Sequence, residues 1–272
     1  VPQYDALFAI DFTAGKNVID ACLAHGVKAI ANYGVGYDRI DWKYATEVGL
    51  PILNTPTSVT EATAELGATL IFATMRGVAR YDRQARQKEW IAPLFSHLNT
   101  MIAGSTLGIV GFGRIGKRVC RKAQGMGMKV VYFDQYRAKP EVEQEYDVTY
   151  LPFDELLATA DCISLHAPYF PENHHMFNAE TFRKMKPTAY FVNTARGKLV
   201  DEDALYHALK DGVIKGAGLD VFETEPNAVH PGLLELDNVT MTPHIASLTM
   251  RSRMAMADEG IAGMTALLEG RI

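Results

Sequence analysis

The sequence predicts an α/β protein of two domains, the larger of which holds a doubly wound parallel sheet. Three observations lead to this fold class. The chain has 272 residues, enough for roughly two domains of about 150 residues each. From residue 105 onward, short apolar runs alternate with helical segments. Because these runs are apolar throughout, we expect helices to cover both faces of a parallel sheet.

The larger domain contains most of the predicted regular structure. Its candidate strands are TLGIV (106–110), KVVYF (129–133), CISLH (162–166), AYFVN (189–193), GAGLD (216–220) and NVTMT (238–242). Helices are predicted between most of them, at 114–125, 153–159, 178–185 and 202–211, and a last helix at 248–269.

The N-terminal region predicts a smaller βα domain followed by one long helix. Within residues 1–54, apolar runs at 6–10, 27–31 and 51–54 alternate with helical or turn-like segments. A helix is predicted over 60–87, because Thr60 suits an N-cap and apolar residues recur every three or four positions. The arm at 86–95 favours a two-fold homodimer interface, with intramolecular packing as the alternative; its apolar residues are Trp90, Ile91, Leu94 and Phe95.

Composition excludes several classes of function. The net charge of −5 argues against nucleic-acid or anionic-membrane partners, and no apolar run reaches the roughly 18 residues of a membrane span. The three cysteines are far apart and form no C-x-x-C pair, which favours reduced thiols in a cytoplasm. His174 and His175 are adjacent, and adjacent residues do not share a helix face, so no metal site is expected.

A glycine-rich segment at 111–116 predicts a dinucleotide-binding loop. Gly111, Gly113 and Gly116 form G-x-G-x-x-G between a predicted strand and a predicted helix. In this setting the first glycine permits a tight turn, the second lets the backbone approach a diphosphate, and the third lets helix and strand pack closely. The helix N-terminus at Arg114 and Ile115 offers unpaired N–H groups to the phosphates.

The acid at the end of the next strand indicates which dinucleotide binds. Asp134 follows KVVYF and is positioned to accept hydrogen bonds from the adenosine ribose. A carboxylate there repels a 2′-phosphate, so NAD is favoured over NADP. Arg137 qualifies this preference without reversing it.

Polar residues follow the remaining strands of the predicted sheet. In open α/β sheets, ligands bind beyond the carboxyl ends of the strands. The segments in these places are HAP (166–168), NTARG (193–197), Asp220 with FETEP (222–226), and TPHIAS (242–247).

Several of these segments together resemble one enzyme family. The segment KPTAYFVNTARGKLVDEDALYHALKDGVIKGAGLDVFETEP resembles the signature region of the D-isomer-specific 2-hydroxyacid dehydrogenases, which include glyoxylate/hydroxypyruvate reductases and D-lactate dehydrogenases. Upstream, NYGVGYDRID and ILNTPTSVTEATAE are similar to its substrate-loop and hinge segments. The resemblance implies an oxidoreductase that transfers hydride reversibly between NADH and a 2-keto acid such as glyoxylate, hydroxypyruvate, pyruvate or a larger one.

The resemblance also implies a catalytic trio. Arg196 matches the arginine of N-x-x-R-G, Glu225 the glutamate of D-V-F-x-x-E-P, and His244 the histidine of the P-H-I segment. Arg196 would hold the substrate carboxylate and carbonyl through charge-assisted hydrogen bonds. His244 would give the carbonyl oxygen its proton, and Glu225 would orient His244 and favour its charged form.

Further binding residues follow from the resemblance. Backbone N–H groups of the first domain would hold the substrate carboxylate, and Tyr33 would shape the pocket; the residues are Tyr33, Gly34, Val35 and Gly36. The cofactor-binding residues implied are Gly111, Gly113, Arg114, Ile115, Gly116, Asp134, His166, Ala167, Pro168, Thr194, Ala195, Asp220 and Ser247. Tyr169 and Phe170 depart from the family, where threonines are common after HAP.

The family organisation implies two Rossmann-like domains with the active site in a cleft between them. A parallel, doubly wound NAD domain at 55–243 is inserted in a smaller, flavodoxin-like substrate domain formed by 1–54 and 244–272. Relative to the family pattern, we expect this chain to lack the first strand and helix of the substrate domain and part of the C-terminal tail. Two alternatives remain. One is a phosphoglycerate-type dehydrogenase, for whose phosphate the first-domain loop offers only Arg39 and Lys43 as extra positive charge. The other is an NAD-binding scaffold of the corepressor type.

Overall fold

The structure is a computed structural model that describes residues 4–10, 12–88, 98–226 and 228–272. The chain divides into two compact units, Val1–Ala62 with Ser247–Ile272, and Thr63–Ala246. The first boundary therefore falls later than the one expected after residue 54, and the second falls just after the one expected at residue 243.

The elements follow one another in an alternating order. They are β1 (Leu7–Ala9), α1 (Lys16–Ala24), β2 (Ile30–Asn32), α2 (Trp42–Glu47), β3 (Ile52–Leu53), α3 (Thr60–Met75), α4 (Val78–Arg86), β4 (Thr106–Val110), α5 (Arg114–Gly125), β5 (Lys129–Phe133), α6 (Pro140–Tyr146), β6 (Thr149–Tyr150), α7 (Phe153–Thr159), β7 (Cys162–Leu165), α8 (Ala179–Arg183), β8 (Tyr190–Asn193), α9 (Glu202–Lys210), β9 (Gly216–Leu219), α10 (Pro231–Leu234), β10 (Val239–Met241) and α11 (Met250–Leu268). None of the described helices is both long enough and apolar enough to cross a bilayer.

The smaller unit contains a parallel sheet in the order β1-β2-β3. Its apolar core includes Ile19 of α1 and Ile30 of β2, both fully buried. Helix α11 is tied to the segment after β3, because the Glu259 carboxylate accepts backbone N–H groups of Thr57 and Ser58 at 3.1 and 2.9 Å. Chain segments far apart in sequence thus complete one unit.

The larger unit contains seven parallel strands in the order β10-β9-β8-β7-β4-β5-β6. Successive residues of a strand point to opposite faces, and here both faces are buried. On β8, Phe191 packs in one apolar cluster and Val192 in the other, and on β4 Ile109 and Val110 are divided in the same way. The six predicted strands and the doubly wound parallel sheet are confirmed.

The strand order reverses between β4 and β7, which are neighbours although β5 and β6 lie between them in sequence. Such a reversal opens a crevice at the carboxyl ends of the two strands, where ligands bind in folds of this type. The glycine-rich loop follows β4, and His166 follows β7. The topology therefore brings both segments to one edge of the sheet.

The prediction of one continuous helix over 60–87 is wrong. Helix α3 ends at Met75 and α4 begins at Val78, with Gly77 between them in the left-handed region at φ 64°. A side chain is disfavoured at this φ, and a Cβ on Gly77 would also lie 2.8 Å from the Asn99 side-chain oxygen. The apolar periodicity continues across the break, which is why the pattern suggested one helix. Strand β6 and helix α6 were not predicted.

Candidate active site and cofactor-binding loop

The loop after β4 is held close to its neighbours by two glycines. Gly111 has a φ of 96°, and its N–H donates to the Phe133 carbonyl oxygen at 2.8 Å. A Cβ added to Gly111 would lie 2.6 Å from the Ala167 nitrogen, and one added to Gly116 would lie 2.2 Å from the Gly111 oxygen. Any other residue at either position would push the loop away from β7 or from its own helix.

Gly113, the second glycine of the motif, leaves the start of α5 open. Gly113 is the N-cap of α5. Among the described residues, no side chain caps the helix and a Cβ added at Gly113 would meet nothing within 4 Å. The first N–H groups of a helix have no intrahelical partner, and here they belong to the first turn, which contains Arg114, Ile115 and Gly116. The open cradle, the helix dipole and the unpaired N–H groups fit a dinucleotide diphosphate.

Asp134, at the end of β5, is oriented by backbone groups on both sides. Its Oδ2 accepts a hydrogen bond from the Phe112 N–H at 2.7 Å, and its Oδ1 accepts one from the Tyr136 N–H at 3.0 Å. Each carboxylate oxygen keeps a further lone pair. The carboxylate therefore retains acceptor capacity, and its hydrogen bonds to a ribose stay a prediction.

The ends of β7 and β8 bring His166 and Thr194 together. The loss of water around the ring of half-buried His166 lowers its pKa to about 4, so the imidazole is neutral at pH 7. The Thr194 Oγ1 is buried and has no hydrogen-bond partner among the described residues. A Cβ on Gly67 of α3 would lie 3.4 Å from the His166 ring and 3.5 Å from this hydroxyl. Ala167, Pro168 and Ala195 follow the same two strand ends.

The Arg196 loop is organised by Asn193, the last residue of β8. The Asn193 side chain is 1% exposed; its Nδ2 donates to the Arg196 carbonyl oxygen at 2.9 Å, and its Oδ1 accepts from the Ala195 N–H at 2.9 Å. The half-buried Arg196 directs Nη1 to the Ala195 carbonyl oxygen at 2.7 Å. The Asn193 side chain thus holds the backbone of Arg196 in position.

Gly197 joins the arginine loop to the segment that carries the glutamate. A Cβ at Gly197 would lie 1.9 Å from the Phe222 carbonyl carbon and 2.3 Å from the Glu223 nitrogen. No side chain fits at this distance, so the two backbones touch only because residue 197 is glycine. This packing fixes the chain two residues before Glu225.

Glu225 and His244 form a close pair. The His244 Nδ1 lies 3.0 Å from each Glu225 carboxylate oxygen. The Glu225 side chain is 17% exposed, whereas that of His244 is 45% exposed. With Nδ1 as donor to the carboxylate, Nε2 is the nitrogen left to exchange a proton with a ligand.

Asp220 holds the histidine loop in place. Its carboxylate, 0% exposed, accepts hydrogen bonds from the Thr242 hydroxyl at 2.6 Å and from the Ile245 and Ala246 N–H groups at 2.8 and 3.0 Å. Its carbonyl oxygen accepts from the His244 N–H at 2.8 Å. Burial raises the pKa of the carboxyl group, and these hydrogen bonds oppose the rise. His244 itself has a φ of 54°.

Similar proteins match this chain along nearly its whole length. The family model for the "D-isomer specific 2-hydroxyacid dehydrogenase, NAD binding domain" matches residues 68–246. A glyoxylate reductase of Korarchaeum cryptofilum is 45% identical to this chain, over 90% of this chain and 74% of the reductase. A glyoxylate reductase of Thermococcus onnurineus is 46% identical, over 94% of this chain and 77% of the reductase. The chain belongs to the D-isomer specific 2-hydroxyacid dehydrogenase family.

Solved structures of other proteins agree with this family membership. A glyoxylate reductase from Paecilomyes thermophila matches with a TM-score of 0.90 and 35% identity, covering 97% of this chain and 81% of its own. D-lactate dehydrogenase from Aquifex aeolicus, complexed with NAD and lactic acid, matches with a TM-score of 0.88 and 32% identity, covering 98% and 83%. Our dehydrogenase is thus an oxidoreductase that acts on CH–OH groups with NAD as its cofactor.

The substrate-loop residues of this dehydrogenase lie in the smaller unit, as does Ser247. Side-chain amides hold the loop carbonyls: Asn32 Nδ2 donates to the Gly36 oxygen at 2.7 Å, and Asn54 Nδ2 donates to the Val35 oxygen at 2.8 Å. Gly34 has a φ of 153°. The Tyr33 hydroxyl donates to the Arg253 carbonyl oxygen of α11. The substrate and cofactor contacts assigned to these residues stay predictions.

Sequence reasoning missed Glu202, a buried carboxylate that clamps the Glu225 segment. Glu202 is 8% exposed, and its two oxygens accept the Glu223 N–H at 2.6 Å and the His230 N–H at 3.2 Å. These two hydrogen bonds hold the chain on both sides of Glu225, at Glu223 and at His230. The sequence signal, an acid directly after the N-cap of a predicted helix, is also typical of a solvent-exposed residue.

The His174–His175 pair lies beside Glu223. Within the part of the chain that the structure describes, the ligand atoms of these three residues lie within 4.8 Å of one another. The sequence argument assumed a helix, whereas His175 has a φ of 53° and its ring stacks on that of His174 at 3.8 Å and 24°. His175 Nε2 pairs with Glu223 Oε1 at 2.7 Å, and the absence of a metal stays a prediction.

We expect Asp220→Asn to reduce kcat about 10- to 100-fold, because an amide placed against N–H donors leaves a buried group unsatisfied, which costs about 1–3 kcal/mol. As Asp220 is an anchor of the histidine loop, the Kd for NADH should stay within about twofold of wild type. Steady-state kinetics and NADH fluorescence titration measure the two effects. Asp211→Asn, an exposed acid at the end of α9, is the control. A weaker Kd with unchanged kcat would instead make Asp220 a cofactor ligand.

Proposed function

We propose that this protein reduces glyoxylate to glycolate, and related small 2-keto acids to D-2-hydroxy acids, with NADH. The observation that carries the proposal is the Glu225–His244 pair. His244 lies just after β10 with a half-exposed side chain, and its Nε2 has no hydrogen-bond partner among the described residues. Arg196 follows β8, and parallel strands bring their carboxyl ends to the same edge of the sheet. The names of the similar glyoxylate reductases support glyoxylate as the substrate.

Arg196 is the proposed substrate-binding cation. A 2-keto acid presents a carboxylate and an adjacent carbonyl oxygen, and a planar guanidinium is suited to hydrogen bonds with both. The fixed Asn193 turn and the close packing of Gly197 hold the backbone of Arg196. With the backbone already fixed, less conformational freedom is lost when the anion binds.

His244 is the proposed acid–base residue. Bound NADH supplies the hydride. When the carbonyl is reduced, protonated His244 gives its Nε2 proton to the carbonyl oxygen, and Glu225 stabilises the imidazolium through Nδ1. In the reverse direction, neutral His244 accepts the hydroxyl proton at the same atom. The Asp220 anchor keeps the ring aimed during both steps.

We also propose that the enzyme is a cytoplasmic homodimer. Cys22, Cys120 and Cys162 are free and buried, which supports a reducing compartment. The apolar arm residues Trp90, Ile91, Leu94 and Phe95 lie outside the described residues, but large apolar side chains on both sides of the arm are exposed, at 55% for Val78, 62% for Leu98 and 76% for Met101.

The dimer is expected to persist at micromolar concentration. Burial of the exposed apolar residues near the arm would supply the stabilisation. Light scattering of the full chain should give twice the mass of one protomer. Changing Leu98 and Met101 to serine should weaken the assembly, and a single-protomer mass for the unchanged chain would contradict the proposal.

The proposed reaction predicts a rank order in a panel of 2-keto acids. With NADH fixed, glyoxylate should give the highest kcat/KM, followed by hydroxypyruvate and pyruvate, and phosphohydroxypyruvate should react poorly. Oxidation of NADH, followed by its absorbance at saturating cofactor, measures the order. Preference for the phosphorylated acid would favour the phosphoglycerate-type alternative. Tight NADH binding without turnover of any acid would favour the scaffold.

His244→Ala is expected to lower kcat by about 10²–10⁴-fold, the usual contribution of general acid–base catalysis. NADH should still bind, as judged by fluorescence titration. His207→Ala is a matched control, since His207 is an exposed histidine on α9. Turnover near the wild-type value for His244→Ala would remove the residue from the proposed mechanism.

A further inference from the structure

The loop after β5 carries a cation that is already paired. The Arg137 Nε donates to Glu143 Oε1 at 2.8 Å, and its Nη2 donates to Glu143 Oε2 at 3.0 Å. Two parallel contacts between a guanidinium and a carboxylate form the strongest and most directional type of ion pair. Glu143 lies on α6, so this pair ties the loop to the following helix.

Other groups hold Glu143 in position. The Tyr132 hydroxyl donates to Glu143 Oε1 at 2.6 Å and accepts the Ala138 N–H at 3.0 Å. The Glu143 side chain is 15% exposed, and that of Arg137 is 62% exposed. The hydrogen bond from Arg137, with a smaller contribution from that of Tyr132, lowers the pKa of Glu143 to about 2. The carboxylate is therefore ionised across the pH range in which dehydrogenases are assayed.

The arginine of this pair lies three residues beyond Asp134, the acid assigned to the adenosine ribose. In dinucleotide-binding folds, an acid at this strand end binds the ribose 2′-hydroxyl, and a nearby arginine is the group that accommodates a 2′-phosphate. Our dehydrogenase has both residues, Asp134 and Arg137. The guanidinium, however, is directed by Glu143, and the three side chains together carry one net negative charge.

We infer that Glu143 is a cofactor-specificity residue that disfavours NADPH by holding Arg137 in the bidentate pair. The inference rests on the proposed location of the adenosine ribose beside Asp134. Without the Glu143 charge, Arg137 gains the freedom to bind a 2′-phosphate, and the net charge of the three side chains becomes zero. NADH lacks the phosphate, so its binding depends little on this change.

Binding of the two cofactors tests the inference without turnover. For Glu143→Gln, fluorescence titration should show about tenfold tighter binding of NADPH, since a new hydrogen bond between charged groups contributes about 1.5 kcal/mol or more. The Kd for NADH should change less than about threefold. The amide keeps an acceptor for Tyr132. Glu141→Gln, an exposed acid on the same helix, should change neither affinity, and thermal unfolding should report a folded protein.

A second set of variants assigns the gain to Arg137. Arg137→Ala added to Glu143→Gln should abolish the tighter NADPH binding, whereas Arg137→Ala alone should leave the ratio of NADPH to NADH affinity within about twofold of wild type. Glu143→Ala should act in the same direction as Glu143→Gln. An unchanged ratio in both Glu143 variants, or a gain that survives removal of Arg137, would overturn the inference. If NADH fails to bind the unchanged chain, the cofactor site itself is wrongly placed.

Discussion

The proposed chemistry depends on one buried carboxylate, that of Asp220. Its oxygens and its carbonyl accept four hydrogen bonds from residues 242–246, which turns a strand end into a fixed loop. His244 has a left-handed φ within this loop, a conformation disfavoured for a residue with a side chain. The anchor supplies the compensating hydrogen bonds. Without these hydrogen bonds, the loop would not hold the imidazole of His244 within hydrogen-bonding distance of Glu225.

The positions of Arg196 and Glu225 depend on a glycine, Gly197, which has no Cβ. Since Gly197 has no Cβ, the backbone after β8 contacts the backbone at Phe222 and Glu223. Asn193 fixes one side of this contact and Glu202 the other. Arg196 and Glu225 are therefore held by a single shared packing point. A shift on either side would move both residues.

Much of the larger unit follows from its sequence, because buried parallel strands are apolar throughout and their bounds are marked by glycine and polar residues. The break at Gly77 was hidden because an apolar helix pattern continues across it. The role of Asp220 was hidden for a different reason. An acid at a strand end suits a ligand or an anchor equally well, and only the positions of the Ile245 and Ala246 N–H groups distinguish them. A sequence motif identifies such a residue but does not show which groups it hydrogen-bonds.

Four carboxylates of the larger unit differ in their hydrogen-bond partners, and the partner of each one indicates its role. Asp220 and Glu202 are buried and accept mainly backbone N–H groups, so their charge is used to hold loops. Glu225 pairs with an imidazole that remains half exposed, which suits proton transfer. Glu143 pairs with an exposed guanidinium, which suits control of a neighbouring anion. The partner of each carboxylate, more than its place in a motif, therefore indicates whether it supports the fold, the reaction or the choice of cofactor.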